Sequence, residues 1–187
     1  MEETAKPKSY RECAMRDGTL LGSLWIVTFT MFTIMIKNMF ANTGITAVTA
    51  TATVILMTMS PIMAYKMAKR HTLEERDGRI SFSEAWLYIM TMYMCAIILS
   101  AIAEYIYFAF VDTYLFHDFL SEFRAVAMQA QISEEESQEI QKAIELLGSM
   151  SAVDIVLSTI NSHLFRVTVI TTILAFMLKR NPDKNLQ

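Results

Sequence analysis

Ala85-Trp86-Leu87-Tyr88-Ile89-Met90-Thr91-Met92-Tyr93-Met94-Cys95-Ala96-Ile97-Ile98-Leu99-Ser100-Ala101-Ile102-Ala103-Glu104-Tyr105-Ile106-Tyr107-Phe108-Ala109-Phe110 carries one charged side chain, Glu104, along its whole length. About 20 apolar residues at 1.5 Å rise each cover a hydrocarbon layer about 30 Å thick, whereas helices lining a soluble core are shorter and amphipathic. The stretch is therefore suited to lipid. Three further blocks match it: Thr19 to Phe40, Gly44 to Met67 and Ile155 to Leu178. A closed barrel also satisfies the backbone in lipid, but it needs alternating segments of about 10 residues, and none of these blocks alternates. The expected fold class is all-α, a four-helix transmembrane bundle forming one integral membrane domain over residues 1–187. The 53 % apolar content and mean hydropathy of +0.34 agree, because the apolar residues are blocked rather than dispersed.

Basic residues set the direction of threading, since Lys and Arg flanking a span are retained on the cytoplasmic side. Lys6, Lys8, Arg11 and Arg16 precede the first span, Lys66, Lys69, Arg70, Arg76 and Arg79 surround the second connection, and Lys179, Arg180 and Lys184 follow the fourth; these are twelve of the 16. The third connection holds Arg124 and Lys142 against Asp112, Asp118, Glu122, Glu134, Glu135, Glu136, Glu139, Glu145 and Asp154. This pattern predicts a multi-pass inner-membrane protein with both termini cytoplasmic and the acidic segment outside. The net charge of −3 hides that division. Topology and anionic lipid head groups account for a basic cytoplasmic rim, so no nucleic-acid partner is expected.

The leader before Thr19 resembles the charged front of a signal peptide. The apolar block is too long for one, and Lys37 to Asn42 offers no small-x-small cleavage site, so an uncleaved span is expected. Cys13 precedes the first span and Cys95 lies inside the third, at different depths, which argues against a disulfide.

Local signals refine the connections. Asn42, Thr43 and Gly44 form a tight turn between spans one and two. Pro61 removes a backbone donor inside span two and is expected to kink it near Met57. The inner loop, placed at residues 68 to 83, contains the turn signal Asp77-Gly78. Ser81 and Glu84 have the spacing of a capping box that opens span three, with Trp86 and Tyr88 as interfacial anchors. Between residues 112 and 150, Phe116, Phe119, Leu120, Phe123, Val126 and Ala127 recur at helical spacing. Ser133 to Glu136 is a second capping box, opening a helix that gathers Ile140, Ala143, Ile144 and Leu147 on one face and stops near Gly148. The outer segment is expected to be an extracytoplasmic amphipathic helical hairpin.

Glu104 in span three and Asn161, His163 and Arg166 in span four form the candidate intramembrane polar cluster. A central charge costs roughly 3 kcal/mol on insertion scales, so each should face the bundle or water and find a partner. One reading is a proton or anion relay with Glu104 and His163 titrating; a second is a structural ion pair locking spans three and four; a third is an unrelated or rim-exposed arrangement of the same residues. Gly18 and Gly22 in span one, and Ala96, Ser100 and Ala103 in span three, mark faces that allow close helix approach within the chain or between copies. Met31, Met35 and Met39, and Met59, Met63 and Met67, stand at four-residue spacing. Thioethers favour Cu(I), but the two rows lie at opposite depths, and adaptable packing is the simpler use. No metal or other cofactor is expected.

No HExxH, Walker loop, nucleophile elbow or Gly-rich dinucleotide turn is present. Arg76-Asp77-Gly78-Arg79-Ile80-Ser81-Phe82-Ser83-Glu84-Ala85-Trp86 resembles the inner loop of an uncharacterised bacterial family of four-span membrane proteins, a domain of unknown function (DUF4199). The outer amphipathic segment and an Arg in the last span also fit, and the resemblance covers about residues 16 to 180. It implies topology and no activity. The expected role is non-enzymatic: a scaffold or accessory subunit in the lipid bilayer, packed against copies of itself or another membrane protein. The alternatives are a small oligomeric proton-coupled transporter working around Glu104, His163 and Arg166, and an enzyme acting on lipid head groups at the outer face.

Overall fold

Helix begins at Tyr10, well ahead of the first apolar block. The computed structural model describes residues 10–75, 79–129 and 134–179. In it α1 spans Tyr10–Asn38, α2 Thr43–Glu75, α3 Phe82–Ile106, α4 Leu115–Gln129, α5 Glu134–Gly148 and α6 Ala152–Leu178. No strand forms among the described residues. Among the described residues, α1, α2, α6 and α3 with its extension to Val111 are the four helices long and apolar enough to cross a membrane. Because successive spans are antiparallel, the start of α1, the end of α2, the start of α3 and the end of α6 share one end, here the basic end. The α1–α2 turn and the α4–α5 hairpin lie at the other.

The helices pack in the order α2, α1, α3, α6, with the broadest contact between α1 and α3, while α2 and α6 barely touch. Small residues explain that central seam. A Cβ on Gly18 would stand 2.5 Å from the Met92 carbonyl oxygen and 2.7 Å from Cys95 Cβ, and one on Gly22 would stand 3.2 Å from Ala96 Cα. Gly18, Gly22 and Ala96 thus serve close approach, as expected, and within one chain. Ser100 and Ala103 do not extend the set: the Ser100 hydroxyl turns to Glu104, and Ala103 is only half-buried.

The sequence placed Asp17 in the leader, yet it is 1 % exposed at the basic end of the bundle. The Tyr88 hydroxyl donates to its Oδ2 at 2.8 Å, and the Arg70 and Arg16 guanidinium groups reach its Oδ1 at 3.2 and 3.3 Å. The His71 ring stacks on Tyr88 with centroids 4.2 Å apart, and Tyr10 sits edge-on to both. Two expectations are corrected here. Tyr88 is a buried partner of a carboxylate and not an interfacial anchor; Trp86, half-buried, donates to Thr172 Oγ1 at 3.3 Å. The inner loop does not begin at residue 68, because burial of Ala68, His71 and Thr72 carries α2 on to Glu75. The Asp77-Gly78 turn lies outside the described residues. The Ser81–Glu84 box forms as expected, with the Ser81 amide donating to Glu84 Oε2 at 3.0 Å and the Glu84 amide to Ser81 Oγ at 3.3 Å. A second box that sequence reading missed, Ser151 with Asp154, opens α6 in the same way.

At the hairpin end, Asn42 Oδ1 accepts from the Ile45 amide at 3.1 Å and caps α2. Lys37 pairs with Asp112 at 2.6 Å, tying α1 to the segment that follows α3. That segment, Tyr107–Val111, is a π-helical turn in which the Asp112 amide donates to Tyr107 O at 2.9 Å. α4 docks over this end through Leu115, Phe116 and Leu120, with Phe116 against Phe108 and Phe119 against Phe40; α5 lies against α4. The predicted two-helix hairpin is thus present. Ser133 lies outside the described residues.

Candidate functional site

Where α2 and α6 fail to meet, a cavity of about 350 Å³ opens over a floor made by α1 and α3. Trp25, Phe29 and Phe32 of α1, Tyr93 of α3 and Phe108 of the π-helical turn supply aromatic walls. Thr53, Met57, Ser60 and Pro61 come from α2, and Phe116 of α4 closes over the hairpin end. Pro61 and Met57, where the kink is expected, lie within the single helix α2 and are wall residues of this cavity.

From α6 the cavity takes Ile155, Ser158, Thr159, Ser162, His163, Arg166, Val167 and Ile170. These recur every three or four residues, the signature of one helix face. Polar groups on that face descend from the hairpin end to Arg166, near the midpoint of the 27-residue α6. Three of the four residues of the expected polar cluster, Glu104, His163 and Arg166, line this one space. The fourth, Asn161, is exposed and absent from the lining, because its position turns it off that face.

The interactions differ from those expected. Glu104 is 4 % exposed and accepts from the Ser100 hydroxyl at 2.6 Å. The His163 ring stacks on Trp25, centroids 4.6 Å apart with 28° between planes, and the Trp25 indole N–H donates to Ser60 Oγ at 2.9 Å. Arg166 forms no ion pair with Glu104 or with any other described residue. The structural lock between spans three and four is therefore corrected: the two groups share a cavity without closing on each other. The Tyr93 hydroxyl, wholly buried, makes no hydrogen bond among the described residues.

Chemically the cavity offers one guanidinium, one carboxyl, one imidazole and a row of hydroxyls inside aromatic walls. Among the described residues no three of His, Cys, Asp and Glu come together as ligands for a metal ion. Of the two Met rows, Met63 and Met67 pack against the core at the basic end and Met35 against the cluster at the hairpin end, while Met39 and Met59 are exposed. Sequence reading passed over Ser158, Thr159 and Ser162. Their spacing from His163 and Arg166 was the available signal.

No curated protein and no solved structure matches the chain. A protein-family model, described as a protein of unknown function, matches residues 16–180, which takes in α1 from Arg16 onward, the other three long helices and the hairpin. The chain belongs to that family, DUF4199.

Proposed function

We propose that this is a non-enzymatic accessory protein of a bacterial inner membrane, threaded with both termini in the cytoplasm and the α4–α5 hairpin outside, which binds a membrane component in its cavity. The single observation that carries the reading is that Arg166 and Glu104 line one cavity without pairing. An internal ion pair is the cheapest relief for charge inside a bilayer, and leaving it unmade leaves the cost to a bound group. The basic residues at one end support the orientation. The cavity's one carboxyl gives head-group hydrolysis no second acid for general acid–base work.

A second reading, the scaffold, is favoured by the exposure of Arg166 toward the α2–α6 seam, where a carboxylate of a second copy or of another membrane protein would take the place of the bound component. Thermal unfolding of delipidated protein, with and without a total bacterial lipid extract, tests the main reading. The extract should raise the Tm of the native chain, and Arg166→Gln should lose most of that rise while keeping its Tm without lipid. An equal rise in both proteins overturns it. A proton-coupled carrier would instead show pH-dependent flux in liposomes that Glu104→Gln abolishes.

A further inference from the structure

The bound component can be specified further, on the footing of the binding reading above. We infer that the cavity takes an anionic membrane lipid from the bilayer through the α2–α6 seam, seating its phosphate on Arg166. Helical side chains lean toward the N-terminus of their helix, so Arg166 reaches back up α6 toward Ser162 and the hairpin end. At 1.5 Å per residue its Cα lies about 20 Å from the start of α6. The guanidinium therefore sits below the head-group level and above the bilayer centre. A phosphate reaching it must descend through hydrocarbon, and Ser158, Thr159 and Ser162 form a stair of hydroxyls along that descent.

Three features select an amphiphile over a free anion. The walls are aromatic and aliphatic, which suits acyl chains and not a hydrated ion. The seam side is open: Met57, Ser158, Ser162 and Arg166 are exposed along it. The hairpin end, by contrast, is covered by Phe116, whose ring stands 5.3 Å from that of Phe108. Entry from the bilayer is the less obstructed route. A guanidinium gives a phosphate two parallel charge-assisted hydrogen bonds, which a cavity lined by Lys would not. Glu104, buried and bonded to Ser100, stands away from Arg166 and leaves it available to the ligand.

Trp25 reports occupancy directly. The chain has 2 tryptophans, and Trp25 alone lines the cavity, so Trp86→Phe leaves one indole as the probe. This variant in mixed micelles is titrated with phosphatidylglycerol or phosphatidylcholine brominated in the acyl chain. Both lipids carry the phosphate, but choline adds a cation that the Arg166 guanidinium repels, so quenching by the anionic lipid should saturate at roughly one tenth the mole fraction needed for the zwitterionic one, the preference expected from two unit charges about 10 Å apart at an effective dielectric constant of about 20. Arg166→Gln in the same background should erase the preference, and Arg166→Lys should keep part of it. Millimolar inorganic phosphate should not displace the lipid. Equal quenching by the two lipids in the Arg166 protein, a preference that survives Arg166→Gln, or displacement by free phosphate each overturns the inference. The lipid-extract rise in Tm can persist through any of these, so the broader binding reading fails or stands separately.

Discussion

Gly18→Ala is the sharpest perturbation of this bundle. The new Cβ would meet the Met92 carbonyl oxygen at 2.5 Å and Cys95 Cβ at 2.7 Å, where ordinary contact begins at 3.4 Å. Both obstacles are backbone or backbone-proximal, so the α1–α3 seam must open by about 0.9 Å. A gap of that size forfeits a quarter to a half of the dispersion energy of the atoms lining it, and overpacking of this kind costs about 1–3 kcal/mol. The same opening stretches the 2.8 Å bond from Tyr88 to Asp17, next to Gly18, beyond hydrogen-bonding range. A bond to a charged group is worth about 1.5–3 kcal/mol. Replacing helical Gly by Ala returns about 1 kcal/mol. The net loss is about 1.5–5 kcal/mol, read as a lower dodecyl-sulfate midpoint for reversible unfolding in mixed micelles followed by tryptophan fluorescence. Gly22→Ala meets Leu99 Cδ1 and Cβ at 3.0 and 3.1 Å and Ala96 Cα at 3.2 Å, so the seam need give by only a few tenths of an ångström and the loss should be smaller than at Gly18. Gly148→Ala, with nothing within 4 Å, should be neutral or slightly stabilising. If Gly18→Ala unfolds within about 0.5 kcal/mol of the native chain, the close seam is wrong.

Tyr88→Phe removes one hydrogen bond to the buried Asp17 and should cost about 1.5–3 kcal/mol in the same assay, with the fold kept because Arg70 still holds the carboxylate. Ser151→Ala breaks the box that opens α6 and should cost about 1 kcal/mol, seen as faster amide exchange confined to its first turn. For the threading, a cysteine placed at Ser149 should label with an impermeant maleimide in intact spheroplasts and one at Glu74 only after lysis. The reverse pattern would invert the orientation.

The four long helices were legible because length and apolar purity are local properties, and so was the Ser81–Glu84 box, whose partners lie three residues apart. Asp17 was not legible. Hydropathy reads it as part of a charged leader, and what buries it are Arg70 and Tyr88, 53 and 71 residues away in sequence. The candidate cluster was half legible for a related reason. Sequence position fixes depth, which put Glu104 and His163 in the half toward the hairpin end and Arg166 nearer the middle, within reach of one another. The rotation of each helix about its axis decides whether they touch, and that rotation is set by Gly18, Gly22 and Ala96 on a different face. Those residues draw α3 to α1, leaving Ser100 and Glu104 to face the gap beside α6.

The place of the cavity follows from what closes the rest of the bundle. At the basic end α2 is held by Ala64 and Ala68, and α6 by Leu174, Ala175 and Leu178, all in one core. Toward the hairpin end the two helices present Thr53 and Ser60 on one side and Ser158, Thr159 and Ser162 on the other. Short hydroxyl side chains bond back to their own helix, as Thr53 does to Thr49 O at 2.8 Å, and leave space between helices unfilled. A gap from imperfect packing and a gap kept for a ligand respond differently to filling. Thr53→Leu puts added methyl groups into the wall of the cavity at a buried position. In lipid the gain comes from dispersion rather than water release, so stability without ligand should rise by no more than about 1 kcal/mol. If the space is a lipid site, the same substitution should cut the lipid-dependent rise in Tm and weaken quenching of Trp25 by brominated phosphatidylglycerol. A variant that is more stable and yet quenched and lipid-stabilised as before would show that the hydroxyl-lined gap holds nothing.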